Sequence, residues 1–193
     1  TDAYQGIEKN IDVSLVKGFI KNLPFNLHPS QILAINEILE DLKSTKSMHR
    51  LLQGDTGSGK TIVALVSMIA TYSAHYQSAF MAPTELLAIQ HYQTLQTYLK
   101  PLGIQVELLT GSTKKEVRSC ILDKLSNHEV DILVGTHALF SHDVHYASLG
   151  LVITDEQHRF GVNQRKALAI KASFPDILHL SATPIPRTLA HTL

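Results

Sequence analysis

Apolar positions recur along this chain with two different spacings. Val13, Val16, Phe19, Ile20 and Leu23 fall on one face at helical spacing, predicting a helix over 11–22 that Pro24 stops. Ile32, Ile35, Leu39 and Leu42 repeat that spacing and predict a second amphipathic helix. From residue 50 the pattern changes. Short runs rich in Val, Ile and Leu at 50–53, 78–82, 105–109, 131–135, 150–154 and 177–181 are not cleanly alternating. Such runs suit strands covered on both faces. Helical stretches at 60–74, 84–99, 113–126 and 163–172 separate them. Thr113 and Glu116 form a Thr-x-x-Glu capping pattern before Val117, Ile121 and Leu125, and Pro101 and Gly103 close the helix before them. Strand and helix in alternation predict an α/β fold, a mostly parallel central sheet with helices on both faces. Ligands of such sheets sit beyond the carboxyl ends of the strands.

Composition narrows the class. A length of 193 residues is that of one ordinary domain, and 44% hydrophobic with 18% charged residues is a globular balance. No apolar run approaches the roughly 20 residues needed to cross a bilayer, so no membrane partner is expected. The first residues lack the layout of a signal peptide. The one cysteine, Cys120, excludes an internal disulfide or a cysteine-based zinc site and points to a reducing, cytoplasmic setting. Seventeen basic residues balance seventeen acidic ones, so any nucleic-acid contact must be local or carried by sequence outside this chain. The eleven histidines are scattered without metal spacing and read as surface or half-buried residues. Ile185 to Leu193 reads as the start of a helix with no capping glycine, which suggests a fragment of a longer protein.

Chemistry concentrates where predicted strands end. Gly54-Asp55-Thr56-Gly57-Ser58-Gly59-Lys60-Thr61 fits G-x-x-x-x-G-K-[ST] at every fixed position, between a strand and a helix. Its glycines let backbone N–H groups turn onto phosphate oxygens; Lys60 adds charge, and the Thr61 hydroxyl suits Mg²⁺. The positive end of the following helix faces the same anion. Leu151-Val152-Ile153-Thr154-Asp155-Glu156 is an apolar strand ending in two acids. Asp155 would hold Mg²⁺ and Glu156 would polarise an attacking water. The expected cofactors are therefore ATP and Mg²⁺, with Lys60, Asp155 and Glu156 as the catalytic set. Three more strand ends carry small hydroxyl residues: Ala82-Pro83-Thr84-Glu85, Thr110-Gly111-Ser112 and Gly135-Thr136-His137. Each alone is an ordinary cap or turn; three on one sheet edge suggest a second ligand with backbone phosphates. Ser181-Ala182-Thr183 ends the last strand and could sense the nucleotide state.

The set GDTGSGKT, APTELLA, LLTGS, VGTHALF, DEQHRFGV and SATPIPRT, in this order, resembles the first RecA-like motor domain of superfamily 2 helicases, and within them the RecG family. The resemblance covers roughly 20–193. It implies that Phe25 stacks on adenine while Gln31 reads its edge, so that Phe25, Gln31 and 54–61 bind the nucleotide. Thr84, Thr110, Gly111 and Thr136 would track the DNA backbone. His158, Arg159, Ser181 and Thr183 would couple hydrolysis to movement. Residues 1–23 would be a helical connector from an upstream wedge domain, and 24–193 the first of two motor domains. Branched or duplex DNA is the implied partner of the intact, monomeric protein, in fork reversal, branch migration, recombination and repair. The fragment alone should hydrolyse ATP poorly. This sequence departs from the family at Leu27-His28-Pro29-Ser30-Gln31, where Leu-Thr-x-Ala-Gln is common, and at Thr56, where valine is usual. A transcription-repair coupling translocase and a nucleotide-binding module without motor activity are the alternatives.

Overall fold

The structure, a computed structural model, describes residues 5–54, 57–155 and 174–181. Its centre is a six-stranded, wholly parallel sheet in the order β1-β6-β5-β2-β4-β3. The strands are β1 (His49–Gln53), β2 (Gln77–Met81), β3 (Val106–Leu109), β4 (Ile132–Gly135), β5 (Leu149–Asp155) and β6 (Asp176–Ser181). The central β2 is buried at every position, which is why its sequence shows no alternation. β1, at one edge, alternates, and Leu51 is half exposed. The expectation of strands covered on both faces thus fails at this edge, where β6 is the only neighbouring strand among the described residues.

Among the described residues, four helices cover one face: α1 (Val13–Lys21), α2 (Pro29–Lys43), α3 (Gly57–Ser73) and α4 (Glu85–Leu99). α3 lies deepest. Ile62 to Val66 and Met68 to Ala70 are all buried, so the helix is apolar nearly all round, as an enclosed helix must be. Its interior hydroxyls bond backward along the helix, Ser67 to the Val63 carbonyl at 2.8 Å and Thr71 to that of Ser67 at 2.9 Å. The other face is covered by α5 (Lys115–Ser126) and the short 3₁₀ turn His137–Phe140.

Side-chain caps set several boundaries. Asp12 caps α1 by accepting from the Ser14 and Leu15 N–H groups, and the helix ends at Lys21, before Pro24. α2 begins at Pro29, and its inward stripe is Ile35, Ile38 and Leu42. Ile32 falls on the flank of that stripe and is exposed, so the predicted apolar face was rotated. The capping box expected at Thr113 and Glu116 does not form. α5 starts at Lys115 without a side-chain cap, and the Thr113 hydroxyl instead accepts from the Thr110 N–H at 2.9 Å, closing the turn before the helix.

The segment before α1 joins the same core. Gln5 bridges to Lys46, the Gly6 N–H reaches the Thr45 carbonyl at 2.7 Å, and Ile11, Val16 and Phe19 are buried with α3. Lys9 is buried against Asp176 at the start of β6. Burial is the largest influence on both, pushing the ammonium below and the carboxyl above their ordinary ranges.

Candidate active site

The sheet order divides the carboxyl edge in two. β1, β6 and β5 deliver Gly54, Ser181 and Asp155 to one half. β2, β4 and β3 deliver Thr84, Thr136 and Thr110-Gly111 to the other. The first half opens into a cleft of about 1110 Å³, lined among others by Phe25, Gln31, Gly54, Gly59, Lys60, Thr61 and Asp155.

Lys60 is buried at 6% exposure on the first turn of α3. Its ammonium donates to the Ser181 carbonyl at 2.7 Å, and the Gly54 N–H donates to the same oxygen at 3.4 Å. No carboxylate of the described residues pairs with Lys60. A buried cation that, among the described residues, meets only a neutral carbonyl beside a helix N-terminus favours an anionic ligand. This fits the phosphates of a nucleotide. Among the described residues there is no cluster of three acidic, histidine or cysteine side chains. Mg²⁺ does not require one: it keeps several waters and binds through one or two protein oxygens plus phosphates. Thr61 and Asp155 supply oxygens of that kind in the same cleft.

Phe25 is 43% exposed at the cleft, an open aromatic face. Gln31 is engaged more deeply than expected. Its Nε2 donates to the Gly59 carbonyl at 3.1 Å, while its Oε1 accepts from the His28 N–H at 2.7 Å. The amide therefore ties the start of α2 to the phosphate loop, and base reading would use its remaining hydrogen and lone pair. His28, standing where the family commonly has threonine, keeps the capping role: its Nδ1 accepts from the Ser30 N–H at 3.3 Å.

On the other half of the edge, Thr84 caps α4 by accepting from the Leu87 N–H at 3.2 Å. Glu85 beside it accepts from the Thr110 and Ser112 hydroxyls, each at 2.9 Å, and so ties the loop after β3 to the start of α4. Gly111 is exposed between them, and Thr136 is half-buried ahead of the 3₁₀ turn. Asp55, Thr56, Glu156, His158, Arg159 and Thr183, with the helix expected at 163–172, lie outside the described residues, as does the Ser58 side chain.

One cleft residue was missed in the sequence. His91, on α4, places Nε2 at 2.5 Å from Asp155 Oδ2 and packs its ring on Phe80, centroids 4.7 Å apart. A lone histidine in a helix, far from Asp155 in sequence, carried no signal of this.

A sequence model of the DEAD/DEAH box helicases matches residues 28–192. The chain belongs to the DEAD/DEAH box helicase family. The ATP-dependent DNA helicase RecG of Staphylococcus epidermidis is 54% identical over 186 residues, covering 96% of this chain and 27% of that protein. RecG of Staphylococcus aureus is 52% identical over the same shares. The chain thus spans about a quarter of the length of the curated relatives it matches. A structure of RecG bound to a three-way DNA junction superposes with a TM-score of 0.85 at 47% identity, covering 96% of this chain and 25% of that one. The helicase MrfA superposes with a TM-score of 0.70 at 19% identity over 97% of this chain and 32% of its own, a likeness of fold. The expected helicase family and parallel α/β architecture both hold for this DEAD/DEAH domain. No helix among the described residues is long and apolar enough to cross a membrane.

Proposed function

We propose that this DEAD/DEAH domain is the first motor domain of a RecG-type, ATP-dependent DNA helicase acting on branched or duplex DNA. The observation that carries the reading is the buried Lys60, which among the described residues meets a carbonyl and no carboxylate, in a cleft that it shares with Asp155. Mg-ATP supplies the phosphoryl group whose hydrolysis powers movement. Lys60, the loop N–H groups and the α3 terminus hold its phosphates; Thr61 and Asp155 hold the cation, and Glu156 orients the attacking water. Phe25 offers its ring to the base, and Gln31 adds the unused part of its amide.

Thr84, Thr110, Gly111 and Thr136 form the DNA-tracking row, an assignment supported by their common position along the β2, β4 and β3 ends. His158, Arg159, Ser181 and Thr183 couple the two ligands. Ser181 is suited to this because its carbonyl is the oxygen that Lys60 would release to a phosphate. Residues 1–23 connect to an upstream domain, 24–193 form the motor domain, and a second motor domain completes the ATP cleft. The protein works as a monomer in the cytoplasm.

DNA-stimulated ATP hydrolysis by the full-length protein tests this reading. Glu156→Gln should lower turnover by a factor of 100 or more, roughly the general-base contribution, while nucleotide still binds. Unchanged turnover would remove Glu156 from the mechanism, and an ATPase indifferent to forked DNA would refute the motor assignment.

A further inference from the structure

The hydrogen bond between α4 and β5 gives the cleft a residue that the phosphate-loop chemistry does not require. His91 is half-buried, and its ring lies against Phe80 at 47° between planes. Phe80 is fully buried on β2 and registers with Ile153 of β5, two residues before Asp155. The imidazole is thus braced by one strand while its Nε2 meets a carboxylate on the next. Asp155 Oδ2 is engaged by that nitrogen at 2.5 Å, and Oδ1 meets no partner among the described residues. Outer partners of this kind fix the orientation of a metal-binding group, and losing one typically costs about 10- to 100-fold in metal affinity or activity.

We propose that His91 is the positioning residue for Asp155, holding one carboxylate oxygen so that the other is presented to the cation of Mg-nucleotide. This rests on the reading of Asp155 as the metal carboxylate. A purely structural tie between α4 and the sheet would use the same hydrogen bond, but its loss would weaken nucleotide binding alike with and without the cation. A positioning role makes the loss specific to Mg²⁺.

The test measures binding of a fluorescent ATP analogue to the full-length protein, in EDTA and across a Mg²⁺ titration. His91→Phe keeps an aromatic ring against Phe80 and removes the nitrogen. It should raise the Mg²⁺ concentration for half-maximal tightening by about 10- to 100-fold, with affinity in EDTA unchanged. His91→Gln restores a donor and should recover most of that shift. Should His91→Phe not fold, His91→Leu reads the same loss. An unshifted Mg²⁺ midpoint, or an equal weakening in EDTA and in Mg²⁺, overturns the proposal. Asp155→Asn in parallel separates the two layers. If it abolishes the Mg²⁺ dependence while His91→Phe does nothing, only the role of His91 falls; if it too does nothing, the metal role of Asp155 falls and takes the proposal with it.

Discussion

Replacing Lys9 by methionine removes one charge from a buried pair and leaves the shape of the side chain nearly intact. The Lys9 and Asp176 side chains are 0% and 1% exposed, so the Asp176 carboxylate would be left without its cation or water. Breaking a buried pair from one side costs about 3–5 kcal/mol. The carboxyl limits that cost by taking up a proton. For an ordinary pKa of 3.8, protonation at pH 7 costs about 4 kcal/mol and falls by about 1.4 kcal/mol per pH unit. Burial already raises the Asp176 pKa, and losing Lys9 removes the main opposing influence. A group whose folded-state pKa is raised favours the folded state below its unfolded pKa and loses that contribution as pH rises through its folded pKa. Lys9→Met should therefore be destabilised by about 4 kcal/mol at pH 7, on the order of 10 °C in Tm, and by much less at pH 5. Adding Asp176→Asn should recover most of the loss, because the amide oxygen still accepts the Met48 N–H, which meets Asp176 Oδ1 at 2.6 Å. Thermal unfolding of the chain at pH 5, 6 and 7 by circular dichroism measures this. A deficit of the same size at every pH would refute the reasoning, since lost packing does not titrate.

Gly135→Ala would put a methyl group 1.9 Å from the Leu109 carbonyl oxygen, so β3 and β4 must part where the Thr110 and Thr136 loops emerge. Destabilisation of at least about 2 kcal/mol is expected, together with weaker DNA binding by the full-length protein in a fluorescence anisotropy titration. Gln77 is wholly buried and bonds the Leu125 and Val130 carbonyls and the Ser148 N–H at 2.8 to 2.9 Å. Gln77→Met keeps the volume but orphans all three, and should cost about 2–4 kcal/mol in a urea unfolding curve; a loss below 1 kcal/mol would mean that water or a local shift satisfies them.

The α1 and α2 starts are set by Asp12 and by His28 with Pro29, capping signals a few residues away that the apolar spacing alone does not carry. At Thr113 a competing local bond, to the Thr110 N–H, captured the hydroxyl that the capping box needed. α2 shows the limit of periodicity. Ile32 and Ile38 are equally apolar, and only the position of α3 decides that Ile38 is covered and Ile32 is not.

Local spacing was therefore sufficient for the parallel α/β class and for putting the glycine-rich segment after β1, because both depend on residues close along the chain. It also placed Asp155 at a strand end. The order of the strands is another matter, since it depends on which apolar faces pack best over long separations. That order sends β1, β6 and β5 to one half of the carboxyl edge and β2, β4 and β3 to the other. It brings the Ser181 carbonyl to Lys60, Asp176 to Lys9 and His91 to Asp155. None of these pairs has a sequence signature, because a hydrogen bond between residues far apart along the chain is created by the fold that brings them together.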